Sequence, residues 1–521
     1  MSNNSSKLFE GIDFPEVKHV IGMEDFDHKT TEMIVNGAVE IARRMRGGYK
    51  WWDDPIQRQK KAAIISAEGS TRTIGSTDRA GEILGWNRRI IALGDTSLAK
   101  KRETWEHSAM TWRIQGATTL ALRTTTEGVQ KWIAECFDSN NFDTSMINMG
   151  DGWARHPTQA FLDLVTIMLL KERLGNITIG FIGDALRGRV IHSLLEGLRH
   201  WTGISVICVS PKNLRLPKHY QRMLSSYEET EDPSALANCD VVYVLRTQQE
   251  RPLEGAPPDQ NGYQNFRLTQ EVMQMLRKDA IVMHAQPVDG VEQELVHEIE
   301  HDPRVVMWQQ NENGIYTRMY LMEMCWDNRH LADYHLPKNN IEVQETFSEP
   351  LETSLKRQKD KHCDRFVPIE NIGVAIDHIT AGMGRSLGDM LENQSKISGT
   401  MDVFEKVASP NKPESVKDVI IIRGQLLDDD ALGMIISLDP NATINPISEG
   451  KHRKLFVVPS SRIIRGIGKC QNSDACITRM PGQPGIKPRF VLTNNNGDPT
   501  MAMCEYCRRE YPLKQVLEIN S

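Results

Sequence analysis

Apolar residues recur at helical spacing from Thr30 to Arg46: Met33, Ile34, Ala38, Val39, Ile41 and Ala42 share one face, and Gly47-Gly48 ends the pattern. Short apolar, β-prone runs follow at 62–66, 90–93, 119–122, 177–182, 205–209, 241–245 and 280–283, with helical patterns such as 160–174 and 190–200 between them. Strands that alternate with helices predict parallel sheets covered by helices, here in two halves meeting near Gly150 to His156. After about Arg329 the texture changes. Residues 337–361 are charged and polar with few large apolar groups and read as a linker or connecting helices. Strands are then predicted near 374–376 and 419–422 and helices near 383–391 and 428–437, and a cysteine-bearing tail follows. No internal repeat or low-complexity tract interrupts this order.

The 521 residues suffice for three to five domains at ~100–200 residues each. With 62 Lys+Arg against 69 Asp+Glu the net charge is −7, so no overall basic field recruits nucleic acid, and no nucleic-acid partner is expected. The polar start MSNNSSKLFEGIDF lacks the apolar core of a secretory signal, and no run approaches a spanning helix. A cytoplasmic protein without a membrane partner is expected.

Cys136, Cys208, Cys239, Cys325 and Cys363 lie singly, as buried free thiols do. Cys470 and Cys476 form a C-x5-C pair, and Cys504 and Cys507 a C-x2-C pair. In a reducing compartment, four thiolates at two chain crossings read as a tetrahedral zinc site, against a disulfide pair or unconnected thiols.

Ser70-Thr71-Arg72-Thr73 follows a strand and opens a helix running to about Leu84. Hydroxyls, a guanidinium and free N–H groups at a helix start suit a phosphate, though an ordinary N-cap cluster uses the same residues. A basic loop at 95–104 carries Ser97, Lys100 and Lys101. In the stretch 150–159, glycines permit a tight turn and Pro157 starts a helix with His156 and Gln159 at its mouth. Arg189 and Arg246 each follow a predicted strand, where open α/β sheets hold their ligands, and two such arginines suit a dicarboxylate.

In combination and order, Ser-Thr-Arg-Thr, Ser-x-x-Lys-Lys, Arg123 after a strand and His-Pro-Thr-Gln resemble the aspartate/ornithine carbamoyltransferase family over roughly residues 15–330. Arg246-x-Gln248-x-Glu250-Arg251 and Gln310-Asn311-Glu-Asn313-Gly314-Ile315 are similar to its aspartate branch. Farther on, Gly373-Val-Ala-Ile-Asp377-His378-Ile379, Pro440-Asn-Ala-Thr443-Ile-Asn445 and the four cysteines resemble the regulatory chain of that branch, here fused to the catalytic one. The resemblance implies two doubly wound parallel-sheet domains, 1–154 for carbamoyl phosphate (completed by a helix at about 313–330) and 155–312 for aspartate. A linker at 331–365, an α+β regulatory domain at 366–460 and a small zinc-binding β domain at 461–521 would follow.

The reaction it implies is attack by the α-amino group of L-aspartate on carbamoyl phosphate, an early step of pyrimidine synthesis. A carbamoyltransferase for another amine and a catalytically silent homologue are the alternatives. Ser70, Thr71, Arg72 and Thr73 match the family's phosphate cradle. Arg123, with Thr73 and His156, matches the group that polarises the carbonyl oxygen, and Gln159 the residue that holds the carbamoyl amide. Arg189, Arg246 and Gln248 match the aspartate ligands, and Ser97 and Lys101 a loop lent by a neighbouring subunit, which implies a homo-oligomer built on trimers. One structural zinc on Cys470, Cys476, Cys504 and Cys507 and no catalytic cofactor complete the expectation.

Two departures stand out. His284-Ala285-Gln286-Pro287-Val288-Asp289 replaces the family's His-Pro-Leu-Pro-Arg, leaving Ala285 and Gln286 to hold the carbamoyl amide through their backbone carbonyls. A nucleotide-contacting lysine of the family falls at Ile421, which leaves Asp377, His378 and Lys451 for an effector and predicts an altered or absent response to CTP and ATP.

Overall fold

The computed structural model describes residues 7–51, 60–67, 71–246, 266–291, 293–334, 341–360, 369–394, 397–409, 412–439, 441–459, 463–465, 468–473, 475–483, 485–495 and 498–516. The chain divides into two units, Met1–His335 and Leu336–Ser521.

In the first unit, helix α1 (His28–Arg46) starts where the Asp27 carboxylate accepts from Thr30 N–H, and it buries Ile34, Val35, Ala38, Ile41 and Ala42. Strands β1 (Lys61–Ser66), β2 (Asn87–Ala92), β3 (Thr119–Thr124) and β4 (Ser145–Asp151) form a parallel sheet in the order β2-β1-β3-β4. Helices α2 (Thr71–Ile83), α3 (Ser97–Lys101), α4 (Trp105–Ile114) and α5 (Val129–Ser139) connect them. Strand β4 was not among the predicted runs. Its Ser145, Asn148 and Asp151 are as buried as its methionines, so no apolar run marks it.

Helix α6 (Pro157–Lys171) leads to the second sheet. It is buried on every side from Pro157 to Ile167, since it packs against α1, β4 and the next helices, and its apolar residues therefore wrap around it. The second sheet is parallel, in the order β7-β6-β5-β8-β9, from β5 (Ile177–Gly183), β6 (Ile204–Val209), β7 (Ser226–Thr230), β8 (Val241–Leu245) and β9 (Ile281–His284). Helices α7 (Arg189–Leu198), α8 (Lys218–Gln221) and α9 (Gln270–Met275) join these strands, and α10 (Met307–Asp327) returns to pack on α1, α2 and α6. In each sheet the order reverses at one point, between β1 and β3 and between β5 and β8. Ligand groups collect beyond the carboxyl ends of strands at such points.

The second unit departs from the expected linker. Ile341–Pro350 is a strand, β10, paired antiparallel along β15 (Lys451–Pro459), and Leu351–Asp360 is a helix, α11. Leu351 buries against Ile369, Val419, Ile421 and Ile447, which ties the connecting segment into the regulatory core. With β11 (Gly373–Thr380), α12 (Gly384–Gln394), β12 (Thr400–Ser409), β13 (Lys412–Arg423), α13 (Asp429–Leu438) and β14 (Thr443–Ser448), the sheet runs β10-β15-β14-β11-β13-β12, antiparallel throughout. Strands β16 (Ile463–Arg465), β17 (Arg489–Asn495), β18 (Asp498–Cys504) and β19 (Glu510–Pro512) form a small antiparallel sheet that ends in α14 (Leu513–Val516). Among the described residues no helix is long and apolar enough to cross a membrane.

Candidate active site, zinc cluster and regulatory sheet

The two reversal points supply the site. Thr71, Arg72 and Thr73 form the first turn of α2, directly beyond β1, where backbone N–H groups have no partner within the helix. Ser70 lies outside the described residues, as do Gln248, Glu250 and Arg251. Arg123 ends β3, Arg189 opens α7 after β5, and Arg246 follows β8.

Cations from the two sheets converge. A Cβ placed on Gly150 would lie 3.1 Å from Cζ and Nη1 of Arg189 and 3.3 Å from Nη1 of Arg123, so this glycine leaves the room in which the two guanidiniums meet. Arg189 Nη1 donates to the Gly152 carbonyl at 2.6 Å. Arg72 is held below the usual arginine range, first by burial and then by the charge of Arg246.

His156 is buried beside them. Burial, then the charges of Arg189, Arg123 and Arg318, push its pKa well below the ordinary value, so the imidazole is neutral. Arg318 Nη2 donates to Thr158 Oγ1 at 3.3 Å, and Thr158 Oγ1 lies 3.5 Å from His156 Nδ1. His156 Nε2 stands 3.5 Å from Arg123 Nη1, so the imidazole and the guanidinium sit side by side.

Behind Gln159 lies a network built on Asp163 and Tyr243, which the sequence did not single out, and on Gln310, which it marked only as part of a motif. Asp163 Oδ1 accepts from Gln159 Nε2 at 3.0 Å and Gln310 Nε2 at 2.6 Å, and its Oδ2 accepts from the Tyr243 hydroxyl at 2.9 Å. Burial raises the Asp163 carboxyl to about 7 against these donors. Gln310 Oε1 accepts from the backbone N–H of His284 at 2.9 Å. The loop beyond is fixed in turn: Gln286 N–H donates to His284 Nδ1 at 2.8 Å, and His284 Nε2 donates to Glu294 at 3.0 Å. That bond holds Glu294 below the usual range although burial pushes the other way. Ala285 and Gln286 are half-buried, and Gln286 Oε1 accepts from Asn311 at 3.4 Å. A cleft of about 380 Å³ lined by Thr71, Arg72, Trp308 and Asn311 opens alongside.

Ser97 and Lys101 are exposed on α3, which follows the edge strand β2.

The four tail cysteines come together, all buried, with their sulfurs within 4.8 Å of one another. Cys470 and Cys507 are 3.5 Å apart and Cys476 and Cys504 3.9 Å. Zn–S bonds of about 2.3 Å in a tetrahedron require sulfurs about 3.8 Å apart, so the donor set fits zinc. Cys136, Cys208, Cys239 and Cys325 are free and buried, and Cys363 lies outside the described residues.

On the regulatory sheet, Asp377 pairs with Lys417 at 2.7 Å and with His378 at 3.3 Å. Lys451 is not with them. Asp377 stands opposite Thr443 and Lys451 opposite Ser448, the two ends of β14, about 17 Å apart at strand rise. Lys417, which the sequence reading passed over, is the cation beside Asp377.

Residues 18–168 match the carbamoyl-P binding domain and 175–325 the Asp/Orn binding domain of aspartate/ornithine carbamoyltransferase. Residues 367–457 match the allosteric domain and 462–517 the metal binding domain of the aspartate carbamoyltransferase regulatory chain. The aspartate carbamoyltransferase catalytic subunit of Lachnoclostridium phytofermentans is 32% identical over 318 residues, 59% of this chain and 97% of that protein. That of Desulforamulus reducens is 31% identical over 329 residues, 63% and 100%. The catalytic subunit of M. jannaschii aspartate transcarbamoylase is similar in structure, with 29% identity and a TM-score of 0.52 over 60% of this chain and 99% of that one. The Trypanosoma cruzi aspartate transcarbamoylase in complex with carbamoyl phosphate shares the fold at 24% identity, a TM-score of 0.52 and 59% and 96% coverage. With catalytic domains matched in its first part and regulatory and metal-binding domains in its second, the chain belongs to the aspartate carbamoyltransferase family and joins catalytic and regulatory parts in one polypeptide.

Proposed function

We infer that the chain transfers the carbamoyl group of carbamoyl phosphate to the α-amino group of L-aspartate, giving N-carbamoyl-L-aspartate and phosphate. The amine attacks the carbonyl carbon, negative charge grows on the carbonyl oxygen, and collapse of the adduct expels phosphate. The observation that carries this reading is the meeting of Arg123 and Arg189, one from each sheet, across Gly150 with neutral His156 beside them.

Each group has a role set by its chemistry. Ser70, Thr71, Arg72 and Thr73 bind the phosphate, with the N-terminus of α2 adding its dipole. Arg123, Thr73 and His156 donate to the carbonyl oxygen, and the loss of one such donor costs about 100-fold or more in rate. A neutral His156 donates without adding a cation to a site already crowded with arginines. Gln159 and the backbone carbonyls of Ala285 and Gln286 accept from the carbamoyl NH2. Arg189, Arg246 and Gln248 take the aspartate carboxylates and hold the amine in line, so orientation and electrostatics carry the catalysis.

Ser97 and Lys101, exposed on α3, serve the site of a neighbouring copy in a trimer. Zinc, when bound by Cys470, Cys476, Cys504 and Cys507, supplies a structural cross-link. Asp377, His378 and Lys417 are the groups that would meet a nucleotide effector. The free buried thiols fit a cytoplasmic protein.

The purified chain, incubated with carbamoyl phosphate and aspartate, and in parallel with ornithine and other amines, should yield ureido product with aspartate alone. Product only with another amine would move the substrate to one read by Gln286 and its loop, and no product from a folded trimer would sink the catalytic reading.

A further inference from the structure

Asp163 is given no contact with substrate, yet it is fully buried one helical turn after Gln159 on α6 and joins three elements. Its carboxylate accepts from Gln159 on α6, Tyr243 on β8 and Gln310 on α10. A side-chain amide has one donor end and one acceptor end, and Gln159, Gln310 and Tyr243 all turn a donor to Asp163. With its NH2 held by Asp163, Gln159 keeps its Oε1 as the end available to a ligand. The same carboxylate turns the NH2 of Gln310 inward, so that Gln310 Oε1 accepts from the His284 backbone at 2.9 Å and fixes the entry to Ala285 and Gln286.

We propose that Asp163 is the positioning residue that makes the site selective for a carbamoyl over an acyl phosphate, because it sets the polarity of one acceptor that meets the carbamoyl NH2, Gln159 Oε1, and the position of the others, the Ala285 and Gln286 carbonyls. The proposal rests on the roles given above to Gln159 and to the Ala285–Gln286 backbone. Without Asp163, Gln159 is free to flip and offer NH2 to NH2, which a donor-only group cannot use. The phosphate end of the ligand, held at α2, is untouched by that change.

Acetyl phosphate is the matched probe, since it carries a methyl group where carbamoyl phosphate carries NH2. Binding of both to the full-length protein is measured by calorimetry for the parent, Asp163→Leu, which keeps the shape without an acceptor, and Asp163→Asn, which keeps one acceptor oxygen for the two glutamine amides. The parent is expected to prefer carbamoyl phosphate by about 10-fold or more. Asp163→Leu should lose about that factor for carbamoyl phosphate while its acetyl phosphate affinity moves less than about twofold, and Asp163→Asn should retain most of the preference.

Equal losses for both ligands in Asp163→Leu would overturn the proposal, as would an unchanged preference or a parent with no preference at all. If Asp163→Leu does not fold, Gln310→Met carries the same test through the link to His284, with the same split expected and an equal loss overturning it. Absence of ureido product with aspartate, alongside an intact Asp163-dependent preference, would refute the choice of amine and leave the role of Asp163 standing.

Discussion

Gly150→Ala would test the convergence of the two sheets. The added methyl carbon would stand 3.1 Å from Arg189 Cζ and Nη1 and 3.3 Å from Arg123 Nη1. Comfortable carbon contacts begin at about 3.5 Å, so each guanidinium must retreat by a few tenths of an ångström. Gly150 also has a φ of +120°, where a side chain is strained, at a cost of about 1–3 kcal/mol. Misplacing reacting groups by about 1 Å costs about 100-fold, so a smaller retreat of two donors at once should lower kcat/KM by about 10- to 100-fold. Gly48→Ala is the control. Its φ is +93° but nothing lies within 4 Å of the new carbon, so it should lose similar stability and keep the parent's kcat/KM. Initial rates of ureido product with both substrates varied, together with thermal melts, separate the two effects. A folded Gly150→Ala protein with the parent's kcat/KM, or a Gly48→Ala protein as impaired as Gly150→Ala, would refute the reasoning.

Three further outcomes are expected. His156 should remain neutral well below pH 6.5, seen as imidazole NMR shifts that do not titrate near that value; because its folded pKa is depressed, the stability it contributes is present above the ordinary pKa and is lost as pH falls below about 6.5, where only the unfolded chain takes up the proton. A normal titration at about 6.5 would contradict the burial of the ring among Arg189, Arg123 and Arg318. Cys507→Ser should bring bound zinc from one equivalent per chain to near zero by elemental analysis, and full retention would exclude the four-sulfur site. Ile421→Lys would place an ammonium in the apolar cluster of Leu351, Ile369, Val419 and Ile447. It should cost about 3 kcal/mol or more in urea unfolding without creating CTP binding, and a change under about 0.5 kcal/mol would show that the lysine escapes to solvent.

The sequence announced elements whose composition follows from their burial and hid those whose does not. Strand β8, Val241–Leu245, is a continuous apolar run because both faces of a parallel sheet are covered. Strand β4 is equally buried, but its Ser145, Asn148 and Asp151 serve hydrogen bonds, among them Ser145 to the Cys325 carbonyl and Asn148 to that of Ile21. Strand β10 does alternate at Ile341 and Val343, but its register shifts between Glu345 and Phe347, which breaks the period in a stretch otherwise charged. The residues proposed to meet a ligand were legible as motifs. Asp163 and Tyr243 were not, and Gln310 was visible only as part of a motif without a role, since a buried polar residue is recognisable only by partners far away in the chain. Lys451 and Lys417 exchanged importance for the same reason: strand register, not sequence distance, decides which lysine stands beside Asp377.

The two departures from the family pattern have different physical weight. At 284–289 the changed side chains leave the backbone constraint in place. The Gln286 N–H is held by His284 and the Gln286 amide by Asn311, while Gln310 fixes the His284 N–H. A loop that acts through its carbonyls tolerates such replacement, provided the new side chain finds a partner of its own. At position 421, where the resemblance leads one to expect a lysine, the chain carries a branched alkyl group 6% exposed in the regulatory core, against a helix that follows directly from the segment joining the catalytic and regulatory parts. No backbone group can substitute for an ammonium there. Hydrogen bonds thus hold the backbone at 284–289 whatever the side chains there, whereas the charge expected at position 421 has no substitute in an apolar core.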